Sequence, residues 1–159
     1  MPEILFAKLT FEQVVRKYAQ TVMRVCIMRL ENYSDAEDCF QNVYVKLYKS
    51  TKSFSDEEHL KAWLIRVAIN ECSSYVKSNN REIPMEGIRR DEPDFTDEAA
   101  DMSWALMRTP QKYRDVLYLY YCEQYKVNEI AKLLKLNENT VKTRLRRGRD
   151  ILKSIYGGD

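Results

Sequence analysis

The chain carries a single histidine, His59, and no pair of cysteines at C-x-x-C spacing. Its four cysteines, Cys26, Cys39, Cys72 and Cys122, lie far apart, so neither a zinc site nor a disulfide framework is expected. Cys26, Cys39 and Cys72 fall in helical, largely apolar surroundings, where cysteine behaves as a small hydrophobe. No glycine-rich phosphate loop occurs, and the carboxylates gather at helix starts, where capping explains them. Those absences argue against an enzyme and against any bound metal or cofactor. The chain also lacks a signal peptide and any apolar run long enough to span a bilayer, so a cytoplasmic protein is expected. Strand-like alternation is missing as well. Only four glycines and four prolines interrupt a sequence that is 45% apolar and 31% charged, the balance of a helical protein with packed cores.

What charge there is lies unevenly. Residues 1–77 hold 11 basic and 10 acidic side chains, residues 78–101 hold 3 and 8, and residues 102–159 hold 12 and 6. The net charge of +2 therefore hides a cationic C-terminal part, which suits a polyanion, and an acidic middle that repels one.

Three capping-box patterns mark helix starts in the N-terminal part. Thr10–Gln13 opens a helix with Val14, Tyr18, Val22, Val25 and Leu30 as its apolar positions. Ser34–Glu37 opens a second, with Ala36, Phe40, Val43, Tyr44 and Leu47 on one face. Ser55–Glu58 opens a third, with Leu60, Trp63, Leu64, Val67 and Ala68. Three such helices bury one small core, so residues 1–77 read as an all-α domain. Off the core stripe, the second helix leaves Asp38, Gln41, Asn42, Val45 and Lys49. The third leaves Arg66, Asn70, Ser73 and Lys77 at i, i+4, i+7 and i+11, a polar stripe able to follow a nucleic-acid strand. Trp63, at the edge of the apolar stripe, is assigned to the core.

Residues 78–101, with Pro84, Pro93 and eight acids, show neither apolar periodicity nor a cap until their end, and read as a flexible linker. A second helical domain, 102–159, follows. Thr109 is a suitable N-cap with Pro110 at the first helical position, and Tyr113, Val116, Leu117 and Tyr120 form the stripe of its first helix.

The last forty residues are the most informative. Val127, Ile130, Ala131 and Leu134 mark a short amphipathic helix, Lys135-Leu136-Asn137 a turn, and Asn137 an N-cap for a second helix. There Val141, Leu145, Gly148 and Leu152 recur at i, i+4, i+7 and i+11, placing small and apolar groups on one stripe. Lys142, Arg146 and Arg149 repeat the spacing one position on, beside Thr143, Arg144 and Arg147. One face can dock on a core while its neighbour offers cations and a hydroxyl to a polyanion. That is a helix-turn-helix, whose second helix enters the major groove. The competing readings are an αα-hairpin with a solvated basic face and a free-standing dimeric regulator. Two residues are unusual for the motif: Lys135 where glycine is common in the turn, and Lys126 as a weak N-cap.

Four segments in order, Asp35–Tyr48 (DAEDCFQNVYVKLY), Trp63–Asn70 (WLIRVAIN), Thr109–Tyr121 (TPQKYRDVLYLYY) and Thr140–Arg149 (TVKTRLRRGR), resemble an extracytoplasmic-function sigma factor of bacterial RNA polymerase. The resemblance covers nearly the whole chain. It implies two helical domains joined by a linker and no catalytic chemistry. Its partners would be core polymerase and promoter DNA, and it admits an anti-sigma protein as a third. By the same resemblance Asp35, Asp38, Gln41 and Asn42 meet the polymerase clamp, Asn42 standing where the family usually has Glu. The segment Ser50–Glu58 and the third-helix face of Arg66, Asn70, Ser73 and Lys77 serve the −10 element. Lys142, Thr143, Arg146 and Arg147 read the −35 element, with Arg144 and Arg149 nearer phosphates. The chain stops soon after that helix, so no further C-terminal regulatory domain is expected.

Overall fold

The structure, a computed structural model, describes residues 4–79 and 105–157. Among its described residues the regular elements are all helices, joined by turns and loops, with a single bridge between Phe6 and Leu9. The chain divides into two compact units, Met1–Arg89 and Arg90–Asp159. The expected linker, 78–101, lies outside the described residues except at its start, where Ser78 and Asn79 continue the preceding helix.

Unit 1 is a three-helix cluster: α1 (Phe11–Leu30), α2 (Tyr33–Lys49) and α3 (Glu57–Asn79), each packed on the other two. α1 opens as expected, with a reciprocal pair: Gln13 N donates to Thr10 Oγ1 at 3.1 Å and Thr10 N to Gln13 Oε1 at 2.8 Å. It closes at Glu31, a non-glycine residue at φ 56°. That left-handed residue reverses the chain so tightly that α2 begins earlier than the Ser34 pattern suggests. The cap is Asn32, whose Oδ1 accepts from Asp35 N at 3.0 Å, and Ser34 is already inside the first turn. α3 shifts the other way and is capped one residue late, by Asp56 Oδ1 on His59 N at 2.8 Å, while Ser55 N donates to His59 Nδ1. Both shifts follow from several capping residues standing in a row: the backbone turn decides which is used.

The core of unit 1 contains the expected Val14, Tyr18, Val22, Val25, Leu30, Ala36, Val43, Tyr44, Leu47, Leu60, Leu64 and Ala68. It also brings together Cys26, Cys39 and Cys72, one from each helix and all buried, with Cys72 beside both of the others. Cys39 is pushed up by its bond with Cys72 and by burial, and Cys72 by its bond with Cys26 and by burial. Thiols held protonated are unreactive and pack as small apolar groups, in keeping with the reading of the sequence. Two polar clusters tie the helices at the surface. Glu57 pairs with Lys17 and accepts from Tyr18 Oη at 2.9 Å, and Lys46 pairs with Glu71.

Unit 2 holds a helical segment at residues 105–107, then α4 (Gln111–Leu117), a five-residue π turn (Tyr118–Cys122), α5 (Val127–Leu134) and α6 (Glu138–Gly157). Thr109 is buried and does not cap α4: its hydroxyl donates back to Ala105 O at 2.9 Å, and Pro110 takes the N-cap position. Thr109 O in turn accepts from Arg114 Nε and Nη2 at 3.2 and 3.0 Å. Arg114, only 2% exposed, thus anchors the turn into α4. The π turn corrects the expected stripe. Its wider pitch swings Tyr118 and Leu119 inward beside Val116 and Leu117 and leaves Tyr120 exposed; Tyr113, before the turn, is half-buried.

Candidate nucleic-acid interface

The helix-turn-helix is built as its spacing requires. Lys126 N donates to Glu129 Oε1 at 2.9 Å, so the weak cap of α5 is offset by the acid three residues on. Ile130, Ala131 and Leu133 are buried, whereas Val127 and Leu134 are only half-buried. Lys135 then takes the left-handed conformation at φ 58°, doing the work of the glycine common at such a turn. Asn137 Oδ1 accepts from Thr140 N at 2.7 Å and starts α6.

Along α6, Val141, Leu145, Gly148 and Leu152 are all buried. Each apolar side chain contributes about 1.5–3 kcal/mol on burial. That outweighs the repulsion of like charges a turn apart on the outer face, about 0.2–0.5 kcal/mol a pair. Gly148 is there because α4 comes close: a Cβ built on it would lie 2.9 Å from Leu117 Cδ1. Leu117 is itself fully buried and has little room to give.

The outer face carries Lys142, Arg146, Arg147 and Arg149 exposed, with Thr143 and Arg144 half-buried. Among the described residues, no ion pair or hydrogen bond engages Lys142, Arg146 or Arg147. Arg149 differs: its Nη1 donates to Tyr121 Oη at 3.0 Å, and that bond raises its affinity for the proton.

In unit 1 the expected polar stripe of α3 forms. Arg66, Asn70, Ser73 and Lys77 are all exposed, but Ser73 Oγ accepts from Arg29 Nη2 at 2.8 Å. The segment between α2 and α3 is pinned by rings that the sequence reading did not connect. Phe54 lies 5.3 Å from His59, 5.6 Å from Trp63 and 6.5 Å from Phe6, centroid to centroid. Trp63 is half-buried against Phe54 rather than inside the core. On α2, Asp38, Gln41 and Asn42 face solvent. Asp35 is half-buried and accepts from Tyr75 Oη at 2.6 Å, so it is already used within the unit. Beside Gln41 runs an apolar groove between α1 and α2, formed by Phe11, Val15, Phe40, Tyr44, Val45 and Tyr48. Val45 and Tyr48 are 47% and 70% exposed there. The i, i+4, i+8 spacing of Phe40, Tyr44 and Tyr48 could have signalled it, since a stripe wider than the core must spill onto the surface. Among the described residues, no group of three or more His, Cys, Asp or Glu side chains is arranged to hold a metal.

Two family models match, Sigma-70 region 2 over residues 14–82 and Sigma-70 region 4 over residues 105–152. The chain is 25% identical to the ECF RNA polymerase sigma factor SigW of Bacillus subtilis, over 90% of this chain and 87% of that protein. It is also 25% identical to SigM of the same organism, over 93% of this chain and 96% of the relative. Among solved structures, the sigma factor RpoE in complex with the anti-sigma factor NepR from Bartonella quintana superposes with a TM-score of 0.73. That match has 22% identity and covers 94% of this chain and 98% of the other. CnrH, in complex with the cytosolic domain of CnrY, gives 0.64 at 20% identity, covering 94% and 88%. With both regions matched in order and relatives similar along nearly their whole length, the chain belongs to the extracytoplasmic-function sigma factors of bacterial RNA polymerase.

Proposed function

We propose that this sigma factor divides promoter recognition between its two units. As a whole it binds core RNA polymerase and directs initiation at promoters, the function of its family. Unit 1 joins the polymerase through the α2 face of Asp38, Gln41 and Asn42, with Asp35 at its edge. Its α3 stripe of Arg66, Asn70, Ser73 and Lys77 serves the −10 element. Unit 2 serves the −35 element through α6, with Lys142, Thr143 and Arg146 toward bases and Arg144 and Arg149 toward the backbone. Arg147, a reader of the element by the resemblance, we assign instead to the backbone side because it borders a groove shared with Lys112. The observation that carries this division is the outer face of α6: exposed cations on a helix whose opposite face is fully packed. The chain supplies no chemistry of its own, and nucleotide addition belongs to the polymerase.

Relatives solved with anti-sigma proteins support a partner of that kind here, seated on the α1–α2 groove and the adjoining α2 face. No helix among the described residues is long and apolar enough to cross a membrane, which accords with work beside the polymerase in the cytoplasm.

Multiple-round transcription with bacterial core polymerase, the purified protein and a genomic fragment library, with RNA 5′ ends mapped, tests the function. Start sites that appear only with the protein and share two spaced upstream elements are expected. Specific binding of free duplex without new start sites would favour a free-standing regulator. Within that assay, Asp38→Arg is expected to weaken core binding at least tenfold while helix content is unchanged. Wild-type core affinity in that variant would remove α2 from the interface.

A further inference from the structure

The face of α6 beside the Lys142–Arg146 stripe does not end in open solvent. It forms one wall of a groove of about 380 Å³ whose other wall is the start of α4. Lys112 and Tyr113 line it from α4, and Thr140, Thr143, Arg144 and Arg147 from α6. Lys112 is exposed, with its Nζ 5.0 Å from the centre of the Tyr113 ring. Three cations from two helices therefore border one concavity, and no carboxylate lines it. The amide of Thr140 is already taken by Asn137, so the donors on offer are side chains: the three cations, the hydroxyls of Thr140, Thr143 and Tyr113, and the amides of Asn137 and Asn139.

We propose that Lys112, Arg144 and Arg147 clamp one sugar-phosphate strand at the edge of the −35 element, leaving Lys142 and Arg146 to the base edges. The proposal rests on the helix-turn-helix reading and deepens it. Shape separates the two roles. A convex helix face fits the floor of the major groove, whereas a concavity between two helices fits the ridge that bounds it. Like charges gathered without a counter-charge are costly in the free protein and favourable once an anion lies between them. Phosphate contacts fix register without reading sequence, so the clamp positions α6. Lys112, 26 residues before the first residue of α6, thereby joins the DNA-binding set.

The test uses holoenzyme assembled from the full chain, on a mapped promoter with its −35 element intact or substituted, titrated across a salt series. Lys112→Gln is expected to weaken binding by the same factor on both templates. It should also lower the slope of log K against log salt by about 0.9, the value of one phosphate contact. Lys112→Arg should restore both, and Arg147→Gln should behave as Lys112→Gln does. Unchanged affinity and slope in Lys112→Gln, or a loss confined to the intact −35 template, would overturn the clamp while leaving the helix-turn-helix reading in place. A wild-type holoenzyme indifferent to the −35 substitution would instead remove the reading on which the clamp rests.

Discussion

The two units present their functional side chains in opposite ways. In unit 1 the polar faces are partly committed to the unit's own architecture: Asp35 is held by Tyr75 and Ser73 by Arg29. In unit 2 the outer face of α6 stands clear, and among the described residues only Arg149 of its predicted contacts is held, by Tyr121. Both units close a helix on a non-glycine residue in the left-handed region, Glu31 in one and Lys135 in the other. What differs is the role of buried charge. Unit 1 buries Glu31 at the end of α1, beside a core of apolar side chains and thiols, whereas unit 2 buries Arg114, which holds the turn into α4 through Thr109 O. The contrast teaches that a polar stripe in a sequence marks exposure, not availability: neighbours from other helices decide which of its members are left to bind.

The largest expected effect breaks unit 2 at its pin. Arg114→Met removes both donors to Thr109 O and leaves that carbonyl buried without them, at a cost of about 2–4 kcal/mol. Denaturant melts should show the loss in the transition of unit 2 while unit 1 is unmoved. A shift below 0.5 kcal/mol would mean that the buried arginine is not structural. A smaller change sharpens the comparison of the two left-handed caps. Lys135→Gly should stabilise unit 2 by about 0.5–1 kcal/mol, because glycine adopts that backbone without strain. An unchanged or lower melting temperature would contradict that account.

The smallest effect concerns the surface tie of unit 1. Bonds from Lys17 and then Tyr18 hold the Glu57 carboxyl below its usual value of 4.5. A depressed carboxylate stabilises the fold above its unfolded value, and that contribution is lost as pH falls through the folded one. Glu57→Gln should therefore melt below wild type at pH 7, and the gap should close as pH falls through and below 4.5. A gap independent of pH would show that Glu57 acts by packing alone.

How much of this was legible follows from which interactions are periodic. The α6 stripe of Val141, Leu145, Gly148 and Leu152 was readable because one helix and one core face impose a single repeat. The exposure of Lys142, Arg146 and Arg147 followed from the same repeat. The cap at Thr10 was readable for a different reason: it stands alone, so one residue can serve. Asn137 was readable because the apolar repeat of α6 from Val141 fixes where that helix must begin. The start of α2 was misplaced because Asn32 and Ser34 both offer a capping oxygen, and only the turn at Glu31 chooses between them. The π turn was invisible, since the apolar run Val116–Leu119 fits a regular helix equally well until packing selects the wider pitch. Nor could local patterning show the groove holding Lys112, the Phe54 ring cluster or the meeting of three cysteines. The groove and the cysteines join elements distant in sequence, and the ring cluster joins a loop to the following helix and to distant Phe6.

The claim at the centre of this account is that the exposed cations of α6 read the −35 element while unit 1 holds the polymerase. Transcription by Arg146→Ala holoenzyme, on a mapped promoter with its −35 element intact or substituted, measures it most directly. The account predicts undiminished affinity for core polymerase together with a fall of about 5- to 150-fold in preference for the intact element, the range of one base contact worth about 1–3 kcal/mol. Full retention of that preference would contradict it.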